Sequence, residues 1–324
     1  MRAVVLREHG GPEVLHVEDV PDPVPGAEQV LVQVAATALN RADLLQRQGR
    51  YPSPEPMPLE IPGLEFAGRV VAVGDKVRLW KVGDAVMGIL AGGGYAEQVV
   101  IHERQAIGVP ANVDVVDAAA IPEVFLTAWD AIVLQGGLTP GRWALIHAGA
   151  SGVGTAGIQL AKAMGARVAV TCSAGKVAAC TALGADHVFE RSPHDWSADA
   201  KAAVPGGFDV ILDVIGGDET NRSLDALALR GRLVQVGTMA GASPAVNLGV
   251  LMFKRAQLIG TVLRARPLEE KISLARRFGA EVVPLFESGA MRPVIDSRFA
   301  LDRVAEAHER MAADANVGKI LLTM

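Results

Sequence analysis

Three glycines, Gly149, Gly152 and Gly154, follow the apolar run Ala144, Leu145 and Ile146 and precede Ala156, Ile158, Leu160 and Ala163 on one helical face. A strand, a tight turn and a helix in that order suit one kind of chemistry. Glycine lets the backbone approach a pyrophosphate closely, and the unpaired N–H groups and dipole of the following helix hold its charge. Ser151 is placed to cap that helix. The spacing Gly149-x-x-Gly152-x-Gly154 departs from the usual G-x-G-x-x-G fingerprint of dinucleotide sites, which leaves a purely structural turn as the alternative.

A second strand, Arg167 to Thr171, arrives about twenty residues after the turn, where the adenosine ribose of a dinucleotide lies in such a fold. An acidic residue there would accept the 2′-hydroxyl of NAD. Instead the strand runs into Cys172, Ser173, Ala174, Gly175 and Lys176. A hydroxyl and a lysine suit a 2′-phosphate, which a carboxylate would repel, so NADP(H) is the expected cofactor. The other reading has Ser173 capping the next helix and Lys176 solvated on its first turn.

The elements that must position this turn can be read on either side of it. With 324 residues, 50% hydrophobic and 21% charged, the chain is long enough for two domains. Residues 1–100 carry short strands, at Ala3 to Arg7, Val30 to Val34, Gly68 to Gly74 and Asp84 to Gly88, which suggests a barrel-like β domain. Proline crowds Pro21 to Pro25 and Pro52 to Pro62, read as ordered connectors. From about Asp117 the pattern turns helical, with a break at Pro122. Beyond the glycine turn, strands are expected at Asp186 to Glu190, Phe208 to Asp213, Gly231 to Gly237 and Gln257 to Leu263, six in all with the two above, forming a doubly wound parallel sheet. Residues 267–288 and 302–313 read as helices, and Lys319 to Thr323 as a strand returning to the β domain. The organisation expected is α/β, with one domain made of residues 1–122 and 265–324 and a second of 123–264. The strand Gln257 to Leu263 would leave an apolar edge unless it paired with its copy, so a homodimer is expected.

The formal charge of −5 offers no basic field, which argues against a nucleic-acid partner. No apolar run reaches membrane-spanning length, and Arg7 and Glu8 interrupt the first apolar stretch, so no membrane partner is expected and the location is read as cytoplasmic. Cys172 and Cys180 assemble neither a disulfide scaffold nor a four-ligand zinc site. The seven histidines, His9, His16, His102, His147, His187, His194 and His308, show no ligand spacing, and no metal is expected.

Five segments sharpen this outline: Ala38-Leu-Asn-Arg-Ala-Asp43, Gln46-Arg-Gln-Gly-Arg-Tyr51, Gly63-Leu-Glu-Phe-Ala-Gly68, His147-Ala-Gly-Ala-Ser-Gly-Val-Gly154 and Asn316-Val-Gly-Lys-Ile320. Together they resemble the zinc-free NADPH:quinone oxidoreductases of the medium-chain dehydrogenase/reductase superfamily, over essentially the whole chain. The resemblance implies a GroES-like β-barrel-type catalytic domain and a doubly wound Rossmann cofactor domain. Zinc-dependent members bind metal through a Cys and a His at positions matching Asn40 and Leu64, so neither the thiolate nor the imidazole is present.

Without metal, the resemblance implies hydride transfer from NADPH to a small-molecule quinone, whose developing negative charge needs hydrogen-bond donors. Asn40, Tyr51 and Ser151 are the candidates, with Asp43 as a weaker one that caps or orients its loop. On the cofactor side the matching positions are Thr127, Gly149, Gly152, Val153, Ser173, Lys176 and Asn316. Arg191 stands where relatives often keep a Tyr near the 2′-phosphate. Gly216, Gly237 and Leu263 with Arg264 are expected along the nicotinamide half. Two rival readings are a 2-alkenal or enoyl C=C reductase, and a nucleotide-binding protein with a structural or RNA-binding role.

Overall fold

The computed structural model describes residues 1–54, 60–191 and 195–324; the centre of the proline-rich Pro52–Pro62 segment and His194 lie outside the described residues. The chain divides into two units, Met1–Leu126 with Leu263–Met324, and Thr127–Val262.

The first unit opens with an antiparallel pair, β1 (Arg2–Leu6) and β2 (Leu15–Asp19). There follow β3 (Gln29–Ala38), α1 (Arg41–Arg47), β4 (Glu65–Val73), β5 (Ala85–Ile89), β6 (Gln98–His102) and β7 (Ile107–Gly108). Pro122 begins α2 (Pro122–Trp129), directly after a 3-10 turn over Asp117–Ala120, so the expected helical break is there. The second unit contributes β8 (Trp143–Ile146), α3 (Gly152–Ala163), β9 (Arg167–Cys172), α4 (Val177–Ala182), β10 (His187–Glu190), α5 (Trp196–Ala203), β11 (Phe208–Asp213), α6 (Glu219–Ala226), β12 (Leu227–Gln235), α7 (Leu248–Lys254) and β13 (Gln257–Gly260). The chain then returns to the first unit through α8 (Leu268–Glu281), α9 (Val283–Glu287), β14 (Ile295–Ala300), α10 (Val304–Ala312) and β15 (Lys319–Thr323).

In the first unit the strands run β14-β15-β3-β4-β5-β7, and β6 also pairs with β3. β3 is long because its edge opposite β4 serves two partners: β6 along Gln29–Gln33 and β15 along Ala36–Ala38. Its alternation has the period of a half-buried strand. Val30, Val32 and Val34 point into a core with Phe66, Val70, Val86, Val99 and Ile101, while Gln33 is exposed. Each such fully buried side chain contributes roughly 1.5–3 kcal/mol.

In the second unit all six strands are parallel, in the order β10-β9-β8-β11-β12-β13. Taken in chain order this is 3-2-1-4-5-6, the doubly wound arrangement with its switch point between β8 and β11. The glycine turn leaves β8 at that point.

Several boundaries differ from the sequence reading. The helix expected over 267–288 breaks at Val282, because Pro284 has no N–H to donate and its ring disfavours a continuous helix through it. The strand expected to reach Leu263 ends at Gly260: Gln257–Gly260 are in register with β12, and beyond them the Thr261 N–H makes a last bond to the Gln235 carbonyl at 3.1 Å while its hydroxyl turns to Asp130 at 2.6 Å. The structure adds the helix α1 and the strands β2, β6, β7 and β14 to the elements expected from the sequence.

Candidate active site

In the first unit, β3 ends where Asn40 starts α1. Asp43, three residues on, accepts the Asn40 backbone N–H at 2.8 Å and fixes this helix start. The Asn40 amide then meets two charged side chains brought in by the flanking strands. Its Nδ2 donates to Glu65 Oε1 at 2.9 Å and to the Ala38 carbonyl at 3.3 Å, and its Oδ1 accepts from Lys319 Nζ at 2.7 Å. Glu65 opens β4 and Lys319 opens β15, so β3 carries Asn40 between them. Lys319 Nζ donates also to Glu65 Oε1 at 2.7 Å and to the Leu39 carbonyl at 2.6 Å, and Glu65 Oε2 accepts the Glu123 backbone N–H at 2.8 Å. Glu65 is 0% and Lys319 3% exposed, a buried ion pair whose hydrogen-bonding groups are used.

Around the pair sit further titratable groups. Asp43 Oδ2 accepts from the Tyr95 hydroxyl at 2.8 Å, and His308 Nε2 lies 3.2 Å from that hydroxyl. Burial pushes the Asp43 carboxyl up to about 6, against the downward pull of the Asn40 N–H, the Tyr95 hydroxyl and the Lys319 charge. Burial brings His308 down to about 3, so its imidazole is neutral. Glu123 is pushed up to about 8, first by burial and then by the Glu65 charge.

Tyr51 is held by Arg264. The guanidinium lies 4.7 Å over the Tyr51 ring and donates to the carbonyls of Tyr51 at 3.1 Å, Pro52 at 3.3 Å and Ala91 at 2.7 Å. Arg264, expected beside a nicotinamide, thus donates to two loops, the one that carries Tyr51 and the one after β5 that carries Ala91. Burial raises the Tyr51 phenol above its ordinary value, helped by the Glu123 charge, so it carries its proton at neutral pH.

The second unit builds the phosphate turn. Gly149 N–H bonds the Thr171 carbonyl at 2.9 Å, tying the turn to β9, and a side chain at Gly149 would run into Val170. Ser151 caps α3, its Oγ accepting the Gly154 N–H at 3.0 Å, and a side chain at Gly154 would overlap the Ala148 carbonyl oxygen. As the first two residues of α3, Gly152 and Val153 have N–H groups with no preceding turn of helix to receive them. That is a cradle suited to a phosphate, so the residues present fit a dinucleotide. His147 anchors the strand end, bonded to Thr171 Oγ1 at 2.9 Å and Ser223 Oγ at 2.8 Å, and burial keeps it neutral.

Ser173 makes no capping hydrogen bond to the turn it begins, contrary to the structural alternative for it, and is exposed. The Arg191 N–H donates to the Cys172 carbonyl at 2.9 Å, which sets Arg191 beside the residue preceding Ser173. Gly216 has φ +65° in the loop after β11, where Asp213 Oδ1 accepts the Ile215 N–H at 2.6 Å and the Gly216 N–H at 3.1 Å. Gly237 follows β12 against the Val214 carbonyl, and Thr127 is buried in α2. Leu263 and Asn316 belong to the first unit; both are buried, and Asn316 Nδ2 donates to the Gly318 carbonyl at 2.8 Å.

Glu65, Tyr95, Glu123, His308 and the role of Lys319 are additions of the structure to the residues expected from the sequence. Glu65 and Lys319 did fall within quoted segments, and a charged residue opening each of two apolar strands was the signal available.

Residues 26–111 match the family described as alcohol dehydrogenase GroES-like domain, and residues 152–273 that described as zinc-binding dehydrogenase. The chain is 31% identical to quinone oxidoreductase of Homo sapiens over 329 residues, covering 100% of this chain and 98% of that one. It is 31% identical over 340 residues to the synaptic vesicle membrane protein VAT-1 homolog of Homo sapiens, covering 99% and 86%. Among solved structures, Escherichia coli quinone oxidoreductase complexed with NADPH superposes with a TM-score of 0.90 at 30% identity over 100% of both chains. JamJ enoyl reductase does so with a TM-score of 0.90 at 25% identity, covering 100% and 99%. The donor set here does not fit the metal in the second family's description. Asn40 and Leu64 supply an amide and an alkyl group, and the Lys319 ammonium already lies 2.7 Å from both Asn40 Oδ1 and Glu65 Oε1. Among the described residues no group of three or more His, Cys, Asp or Glu is disposed to hold a metal ion.

Proposed function

We propose, from the premise that this chain belongs to the medium-chain dehydrogenase/reductase superfamily, that it reduces quinones with NADPH and without zinc. That it is an oxidoreductase working with a nicotinamide cofactor follows from the premise; the acceptor, the NADPH preference and the metal-free chemistry are our reading. In that reading, residues 1–122 and 265–324 serve the acceptor and residues 123–264 the cofactor.

The observation that carries the reading is the Asn40–Glu65–Lys319 network. Where zinc enzymes keep a thiolate, an amide is locked to a buried ion pair, and no Lewis acid can be held there to activate an alcohol. A quinone is electrophilic without such help. It needs only a hydride, which bound NADPH supplies, and a donor for the oxygen that gains charge. The Tyr51 hydroxyl is that donor. Both amide protons of Asn40 point at protein acceptors, so Asn40 and Asp43 act as positioning residues that fix the end of β3 and the start of α1. Ser151 uses its oxygen to cap α3 and keeps its hydroxyl proton for the bound partner. Ser173, Lys176 and Arg191 take the 2′-phosphate, a lysine and an arginine giving the charge and the bidentate fork it favours.

The test is turnover of purified protein with NADPH or NADH against an ortho-quinone, a 2-enal and a primary alcohol with oxidised cofactor. Quinone reduction preferring NADPH, in protein containing less than one tightly held zinc per chain, is expected. A strong 2-enal preference would move the assignment to C=C reduction, a second reading favoured by the likeness to JamJ enoyl reductase.

A further inference from the structure

Arg264, where the chain returns to the first unit, carries a guanidinium and is only 6% exposed. A charge so far from water is ordinarily met by an opposite one, as Lys319 is met by Glu65 at 2.7 Å. Among the described residues the acceptors of Arg264 are all neutral. They are the Ala91, Tyr51 and Pro52 carbonyls and, 3.4 Å from Nη2, the Gln46 amide oxygen. Gln46 is itself buried, and its Nε2 donates to Glu60 Oε1 at 3.2 Å. A neutral amide thus stands between the guanidinium and the Glu60 carboxylate, and Glu60 is fixed there by its carbonyl, which accepts the Leu6 N–H at 2.9 Å. What the charge does face is the Tyr51 ring, its centroid 4.7 Å from the guanidinium carbon.

We propose that Arg264 is a positioning residue for Tyr51, and that its charge, laid over the ring without a counter-charge, stabilises the phenolate that forms as the Tyr51 hydroxyl protonates the substrate. This rests on the quinone-reduction reading above. In the step, the quinone takes a hydride from NADPH, and the Tyr51 O–H bond breaks as an O–H bond forms on the substrate oxygen that gained the hydride's electron pair. Water then returns a proton to the phenolate, so one proton is consumed per turnover. Neutral Tyr51 offers the guanidinium only the quadrupole of its ring, whereas the phenolate offers a full negative charge. The attraction therefore grows along the step and acts on its rate rather than on substrate binding. The bonds to the Tyr51 and Pro52 carbonyls keep ring and cation at their spacing. Of the charged groups that face the Tyr51 phenol, Glu123 and Asp43 add to the rise that burial begins, and Arg264 opposes it.

The chain has two tyrosines, Tyr51 and Tyr95, so each phenol can be followed by its own signal. Both are replaced by a difluorinated tyrosine, whose phenol titrates nearer neutrality, and the unliganded protein is titrated by fluorine NMR, with Y51F assigning the signals. R264Q and R264M remove the charge, R264Q keeping an N–H donor for the loop carbonyls, and R264K keeps the charge. The Tyr51 midpoint is expected to rise by about one pH unit in both charge-free variants and to stay near the wild-type value in R264K. The signal of the buried Tyr95, unmoved, marks an intact fold in each. In the unlabelled enzymes R264Q lowers kcat about tenfold with KM changed less than about twofold, and R264K recovers most of the loss. A Tyr51 midpoint that does not rise in the charge-free variants, or that rises equally in R264K, overturns the proposal while leaving quinone reduction standing. Wild-type protein that turns over no quinone removes that reading and this proposal with it.

Discussion

All three ammonium protons of Lys319 go to protein acceptors, the Leu39 carbonyl, Asn40 Oδ1 and Glu65 Oε1, in a place almost without solvent. Such a pair gains little over an apolar substitute of the same shape, yet removing one partner strands the other's charge. Lys319→Met is therefore expected to cost about 3–5 kcal/mol of unfolding free energy, read from urea denaturation, and the double variant with Glu65→Gln to recover part of that loss. These residues were the least legible part of the site. Glu65 and Lys319 are separated by 254 positions, Tyr95 and His308 by 213, and only the β4-β3-β15 pairing puts the first pair together. Periodicity and spacing act over a few residues, so no local pattern announces such contacts. Asn40 and Tyr51 fall inside segments that carry the family resemblance, but no sequence signal gives the direction of the Asn40 amide.

At the scale of the element, the turn from β8 into α3 is the most completely legible stretch, because its strand, cap and glycines are consecutive in the chain. What the sequence did not reveal is why the glycines are spaced as they are. Gly149 must pass Val170 on β9, and Gly154 must pass the Ala148 carbonyl, so two of the three glycines are required by packing of the turn itself. Gly154→Ala is expected to displace the first turn of α3 and to weaken NADPH binding at least tenfold, which fluorescence titration of the reduced cofactor would detect; unchanged affinity would show that the turn is looser than its packing implies. By contrast, α1 was not read at all. It is seven residues long, and its buried positions include Asp43, Gln46 and Arg47, so its inward face does not look apolar in the sequence. The expected helix over 267–288 failed for the opposite reason: its apolar pattern continues through the break, which Pro284 alone marks.

At the scale of the molecule, the sheet of the second unit leaves two strands with a single neighbour, β10 and β13. β13 closes the sheet order, Leu258 is 40% exposed on it, and Met252 and Phe253 on the preceding α7 are exposed as well. We propose that this edge pairs with its copy to form a homodimer, since an apolar open edge otherwise invites promiscuous association. Leu258→Lys is expected to move sedimentation from dimer to monomer at micromolar concentration, with the far-ultraviolet circular dichroism unchanged. A wild-type monomer under those conditions would defeat the pairing.

The place of β15 against β3 also bears on how the protein comes into being at the ribosome. The cofactor-type sheet is built wholly from residues 127–262, a continuous segment, whereas the edge of β3 at Ala36–Ala38 waits for Leu321–Thr323. The inserted unit can thus close while its host is still incomplete, and the ion pair beneath Asn40 is assembled only after Lys319 has been synthesised. Until then Glu65 lacks the Lys319 ammonium and the Ala36–Ala38 stretch of β3 lacks its β15 neighbour.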